Sequence, residues 1–168
     1  MRKWLDGLYN ASSWLAGAFM VSVFMMVALT IASRFFGFSA TGSDAYAGYA
    51  TAGAGFMALA GTLKHGEHIR VTLLLSALRG RAQKVAEVLA LGAATLLAGF
   101  LAFYSCHLVW QSRDINDISV GIDATPLWIP QIPMAVGTVI FFIAFCDELV
   151  LELLGKREAA SQEDAHHE

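Results

Sequence analysis

The chain has 168 residues, 57% of them hydrophobic and only 15% charged, with a mean hydropathy of +0.57 and a formal net charge of −3. A soluble domain carries about 25% charged residues, so a water-soluble globule is excluded. No basic stripe or phosphate-binding glycine loop is present, which excludes a nucleic-acid binder, and two cysteines are no disulfide framework.

The charges are clustered. Gly7 to Ser33, Ala45 to Leu63, Val88 to Ser112 and Ala124 to Cys146 contain no Asp, Glu, Lys or Arg. Each stretch is near or above the roughly 20 residues that a helix needs to cross a bilayer core. The expected fold is an all-α integral membrane protein with four transmembrane helices, at about 11–35, 45–63, 86–111 and 128–152. They form one membrane domain over 1–154, and the polar stretch 155–168 is expected to be a disordered cytoplasmic tail.

The first span opens on Arg2 and Lys3. Its apolar run is about twice the 7–15 residues of a signal-peptide core, so an uncleaved span is expected. Trp4, Leu5, Leu8 and Trp14 with Arg2, Lys3 and Asp6 suggest a first turn lying on the membrane before the chain dives. Arg34 ends this span and Asp44 opens the next. The two either pair across the hairpin or act as separate caps, Asp44 at the positive end of a helix dipole.

Span two is rich in small residues. Ala50, Ala54, Ala58 and Thr62 form a ladder at period four, matched by Ala94, Ala98, Ala102 and Cys106 in span three. Small residues let helix backbones approach closely in lipid, so both ladders are candidate helix-packing faces.

Between those spans lies a polar knot, Leu63-Lys64-His65-Gly66-Glu67-His68-Ile69-Arg70-Val71. After it Val71, Leu74, Leu75, Leu78, Ala82 and Val85 recur at helical spacing. Arg79, Arg81 and Lys84 cluster at the far end. The segment at about 69–81 reads as a basic amphipathic helix in the cytoplasmic-side interface, with Gly80 as the bend, or else as an early extension of span three. Span four is preceded by Thr125-Pro126-Leu127-Trp128-Ile129-Pro130-Gln131-Ile132-Pro133. Three prolines argue for a stiff, extended lead-in, with the regular helix beginning near Pro130 or Pro133.

Lys and Arg divide by side. Arg2, Lys3, Lys64, Arg70, Arg79, Arg81, Lys84, Lys156 and Arg157 stand against Arg34 and Arg113 alone. The positive-inside rule then gives N-in and C-in. Trp14, Trp110 and Trp128 fall near span ends, as interfacial aromatics do. Cys106 and Cys146 differ in depth by roughly 18 Å at 1.5 Å per residue, beyond the ~7 Å Cα reach of a disulfide.

Polar groups at membrane depth mark solute paths, proton relays and cofactor sites. His107 is the single ionisable ring within a span, and its nearest histidines, His65 and His68, lie at the opposite surface. Haem ligation therefore fails, and two ligands on a surface loop fall short of a metal site. No nucleophile–base constellation is visible. The residues indicate no enzyme, no catalytic or metal site and no cofactor.

Four motifs occur in order: Ser33-Arg34-Phe35-Phe36-Gly37, Gly42-Ser43-Asp44, Gly66-Glu67-His68-Ile69-Arg70-Val71 and Pro126-Leu127-Trp128-Ile129-Pro130-Gln131. In this the chain resembles the small membrane subunit (DctQ-like) of the tripartite ATP-independent periplasmic, or TRAP, transporters, over about Trp14 to Leu154. One departure is Ala45, where the family often has Glu; this leaves Asp44 as the carboxylate there. The resemblance implies two protein partners. A large multi-span permease subunit (DctM-like) moves an organic acid with sodium, and a periplasmic substrate-binding protein (DctP-like) captures it first. The small subunit would be a scaffold in the bacterial inner membrane, bound to lipid and to the large subunit. Arg34, Asp44, His68, Arg70, Arg79, Arg81, Trp110 and Trp128 are its candidate structural or interface residues. The rival readings are a free-standing four-helix channel or exporter and a membrane redox anchor.

Overall fold

The computed structural model describes residues 2–64, 81–121 and 123–154. They form four helices: α1 (Arg2–Phe36), α2 (Ser43–Lys64), α3 (Arg81–Asp114) and α4 (Trp128–Leu153). Among the described residues there is no strand, only an isolated antiparallel bridge between Ile118 and Pro126. Helices α1, α3 and α4 are long and apolar enough to cross a membrane. Ala, Gly, Thr and Tyr dilute the apolarity of α2, which falls short of that mark.

The helices are strung in the spatial order α1–α2–α4–α3. Among the described residues each packs on its neighbour, α1 touches α4 only slightly, and α3 packs on no helix but α4. The α1–α2 turn and the α3–α4 connection lie together at one end, here termed the loop end. Residues 2, 64, 81 and 153 mark the terminal end.

Both outer helices bury a regular seam. In α1 it is Leu5, Tyr9, Ser12, Ala16, Phe19, Val23, Met26, Thr30 and Ser33; in α3 it is Val88, Leu91, Thr95, Ala98, Ala102, Ser105, Val109 and Ser112. The steps alternate between three and four, the 3.5-residue repeat of left-handed helix pairing. Seam residues are mostly small or hydroxylic, whereas large apolar side chains such as Phe24, Phe35, Leu97 and Phe103 face outward. In water such an arrangement would be inside out. In lipid the outward face costs nothing, and packing plus interhelical hydrogen bonds decide which side is buried. Accordingly, the buried Ser12 hydroxyl donates to the Met57 carbonyl at 2.5 Å, and Thr95 reaches the Phe145 carbonyl at 3.4 Å.

The two hairpins, α1–α2 and α3–α4, meet where α4 crosses α2. There Gly137 is buried, and a Cβ on it would stand 2.5 Å from the Phe56 carbonyl oxygen. Only the absence of a side chain lets these backbones approach so closely. Nearer the terminal end, Tyr9, Ala60, Ile140 and Ala144 form a buried cluster, with Leu5 and Leu63 packed against it.

Two sequence expectations are corrected. The start of the chain does not lie flat before a dive: α1 runs unbroken from Arg2, because Leu5 and Tyr9 are fastened to α2 and α4 by that cluster. Nor does α4 wait for Pro130 or Pro133. It begins at Trp128, since Pro130 falls among the first helical positions, whose N–H groups have no intrahelical acceptor anyway. Pro133 does lie inside the helix and forgoes one backbone hydrogen bond. The polar knot from His65 onward, the segment 69–80 and the tail 155–168 lie outside the described residues.

Gly137→Ala is expected to lower the unfolding temperature of the detergent-purified chain, because overpacking costs typically 1–3 kcal/mol. Gly48→Ala, where the added Cβ meets open space, is the control and should leave it unchanged. Equal melting temperatures for the two variants would refute the tight crossing.

Candidate functional site

The loop end holds a polar clasp between the α3–α4 connection and α2. The connection folds back on itself: Ser119 N–H donates to the Thr125 carbonyl at 2.9 Å and Leu127 N–H to the Asp117 carbonyl at 3.0 Å. This presents Asp123 to α2. The Tyr49 hydroxyl donates to Asp123 Oδ2 at 3.0 Å, and Ser119 Oγ donates to Asp123 Oδ1 at 3.0 Å. Tyr46 OH and Thr125 Oγ1 lie 3.1 Å apart, and the Tyr46 and Tyr49 rings meet edge to face. Gly42, at φ +86, lets the chain turn beneath this contact: a Cβ there would lie 3.3 Å from that of Asp123. A hydrogen bond from Thr125 does most to hold the Asp123 carboxyl below its ordinary 3.8; burial opposes it, and Ser119 and Tyr49 add to the lowering. At the tip, Ile115, Ile118 and Val120 are exposed.

Beside the clasp, a groove of about 450 Å³ runs between the end of α1 and the start of α2, lined by Val27, Thr30, Ile31, Arg34, Phe35 and Asp44. Thr30 Oγ1 lies 2.7 Å from Ser43 Oγ and donates to Asp44 Oδ1 at 3.5 Å. Arg34 and Asp44 are both exposed and share the groove without a direct ion pair.

The remaining flagged residues are dispersed. Trp128 is half-buried beneath the Arg113 guanidinium, 5.9 Å from its ring centre, a cation–π contact joining the end of α3 to the start of α4. Trp110 is exposed. Ala50, Ala54, Ala98 and Ala102 are buried, Ala58 and Ala94 half-buried, and Cys106 exposed. A step of four residues overshoots one full turn by about 40°, so a period-four ladder drifts off a seam of period 3.5. Ser105 takes the buried place instead. Arg81 is the first residue of α3; His68, Arg70 and Arg79 lie outside the described residues. Among the described residues, no three His, Cys, Asp or Glu side chains converge to hold a metal.

Sequence reasoning missed the clasp. Its residues, Tyr46 and Tyr49 against Ser119, Asp123 and Thr125, stand 70 or more positions apart across the two hairpins. The tyrosines among alanines in α2 were the only local sign.

The model of a protein family described as "Tripartite ATP-independent periplasmic transporters, DctQ component" matches residues 2–155. The chain belongs to that family: it is the small subunit of a TRAP transporter, a multi-pass membrane protein and not an enzyme. A comparison with curated proteins returned no match.

The clasp is expected to respond to acid. Because the folded Asp123 carboxyl titrates below its ordinary value, its stabilisation is complete above that value and is lost as pH falls through the lowered one. Amide exchange in residues 115–121 and 123–127, corrected for intrinsic rate, should therefore be flat from neutral pH down to about pH 5 and rise only below about pH 4. Tyr49→Phe should raise exchange there even at neutral pH, because it removes a donor to Asp123.

Proposed function

We propose that this chain is a static scaffold. It packs against and stabilises a large multi-span permease subunit (DctM-like) and does not itself bind solute. The large subunit moves an organic acid with sodium, delivered by a periplasmic binding protein (DctP-like). The single observation that carries the reading is the open order α1–α2–α4–α3. Among the described residues the first and last helices of the row do not meet and enclose no lumen, which suits bracing better than conducting.

Four spans, N-in and C-in, in a bacterial inner membrane complete the proposal. Helix α2 serves as the fourth span: its 22 residues rise about 33 Å, and it lies between α1 and α4. Both turns share one end, and nine of the eleven Lys and Arg fall toward the two termini and in the stretch from the last residue of α2 to the first turn of α3, which supports that orientation. In this reading 69–81 rests on the cytoplasmic interface, with Arg70, Arg79 and Arg81 toward lipid phosphate and His68 a loop residue. Residues 1–154 form the membrane domain and 155–168 a cytoplasmic tail. The clasped connection faces the binding protein, with Ile115, Ile118 and Val120 as its apolar tip.

The large subunit is placed against α2. Gly48, Thr51, Ala52 and Gly55 are exposed in a line along that helix, and a second helix can approach it closely there. Gly48→Leu combined with Gly55→Leu should leave the melting temperature of the isolated chain unchanged while abolishing co-purification of the large subunit. In proteoliposomes the chain alone should pass no organic acid; the three components together should show sodium-dependent uptake. Solute flux through this chain alone would sink the scaffold reading.

A further inference from the structure

We infer that the groove between the end of α1 and the start of α2 is a binding site for one molecule of phosphatidylethanolamine. Its polarity is ordered by depth. Arg34 lies in the last turn of α1 and Asp44 in the first turn of α2, so both charges sit at the loop end. Val27, Ile31 and Phe35, one helical turn apart from each other, line the apolar wall. From Arg34 back to Val27 the helix descends about 10 Å, the direction in which an acyl chain leaves its headgroup. Helix α1 is outermost in the row, and all three wall residues are exposed, so this side is open to lipid.

The charges choose the headgroup. Arg34 and Asp44 share the groove without pairing, and among the described residues Asp44 has only the distant Thr30 hydroxyl at 3.5 Å. An occupant satisfying both must carry both signs. A phosphate fits the guanidinium fork, and a primary ammonium supplies N–H donors to the carboxylate. Phosphatidylglycerol offers the phosphate but no cation, and Asp44 repels its net negative charge. Phosphatidylcholine offers a cation without N–H donors. A soluble dicarboxylate leaves the apolar wall unused. The site requires only that α1 cross a bilayer, so it stands or falls separately from the scaffold reading.

Native mass spectrometry of the full chain, in detergent with equal phosphatidylethanolamine, phosphatidylglycerol and phosphatidylcholine, tests the assignment. The wild-type chain should retain one phosphatidylethanolamine in preference to the others. Arg34→Gln should lower that occupancy about tenfold, the scale of one charge-assisted contact. Asp44→Asn should keep a bound lipid but lose the preference over phosphatidylglycerol, a selectivity change that general loosening of the fold does not produce. Equal retention of the lipids by the wild type, or the same pattern in both variants, would overturn the site. A photocrosslinking residue in place of Phe35, in the assembled transporter, gives a readout without the charge variants. Transfer to lipid supports the proposal; transfer to polypeptide instead means that a protein partner fills the groove and overturns it.

Discussion

The close crossing of α2 and α4 at Gly137 is the contact on which the rest depends. It is the principal interface between the two hairpins, and it is made by backbone against backbone. Lipid tails are as apolar as leucine, so burying a large side chain between helices gains little over leaving it in the bilayer. What holds helices together there is short-range dispersion, which needs close approach, and hydrogen bonds with no water to compete. Gly137 and the alanine and serine seams supply the first. Ser12 on the Met57 carbonyl and Thr95 on the Phe145 carbonyl supply the second.

That constraint also explains the open shape. Large residues can stay outside at no cost, so the chain has no need to wrap them into a core, and α1 and α3 are left as edges. A component built this way presents wide lateral surface to its surroundings. A polar network sits at the loop end, where water is available. There the Tyr49–Asp123–Ser119 clasp ties the second hairpin to the first and fixes the connection that carries Ile118 and Val120. The crossing in the middle and the clasp at the end together hold the hairpins in one orientation.

Much of the chain was legible without coordinates. Three helices follow from charge-free runs longer than a bilayer is thick, and the turns at Gly37 and Gly42 follow from residues able to adopt positive φ. The buried side of each helix was not legible. The outward face of α1 is as apolar as its seam, so periodicity of hydrophobicity has nothing to report, and small residues at period four marked only the middle of the α3 seam and Ala50 and Ala54 of α2. The span was placed from 128, but its regular helix was expected a few residues late for a related reason. The prolines were read as a stiff, extended lead-in, whereas at Pro130 the helix had no hydrogen bond to lose.

The sequence by itself determined that this is a membrane chain, where its long apolar helices lie, and to which family it belongs. Those are properties of segments, set by transfer into lipid and by local motifs. Only the tertiary structure decided the order α1–α2–α4–α3, the pairing of Tyr49 with Asp123 and the shared groove of Arg34 and Asp44. These depend on which surfaces fit at contact distance, and in a bilayer shape rather than hydrophobicity selects the partner.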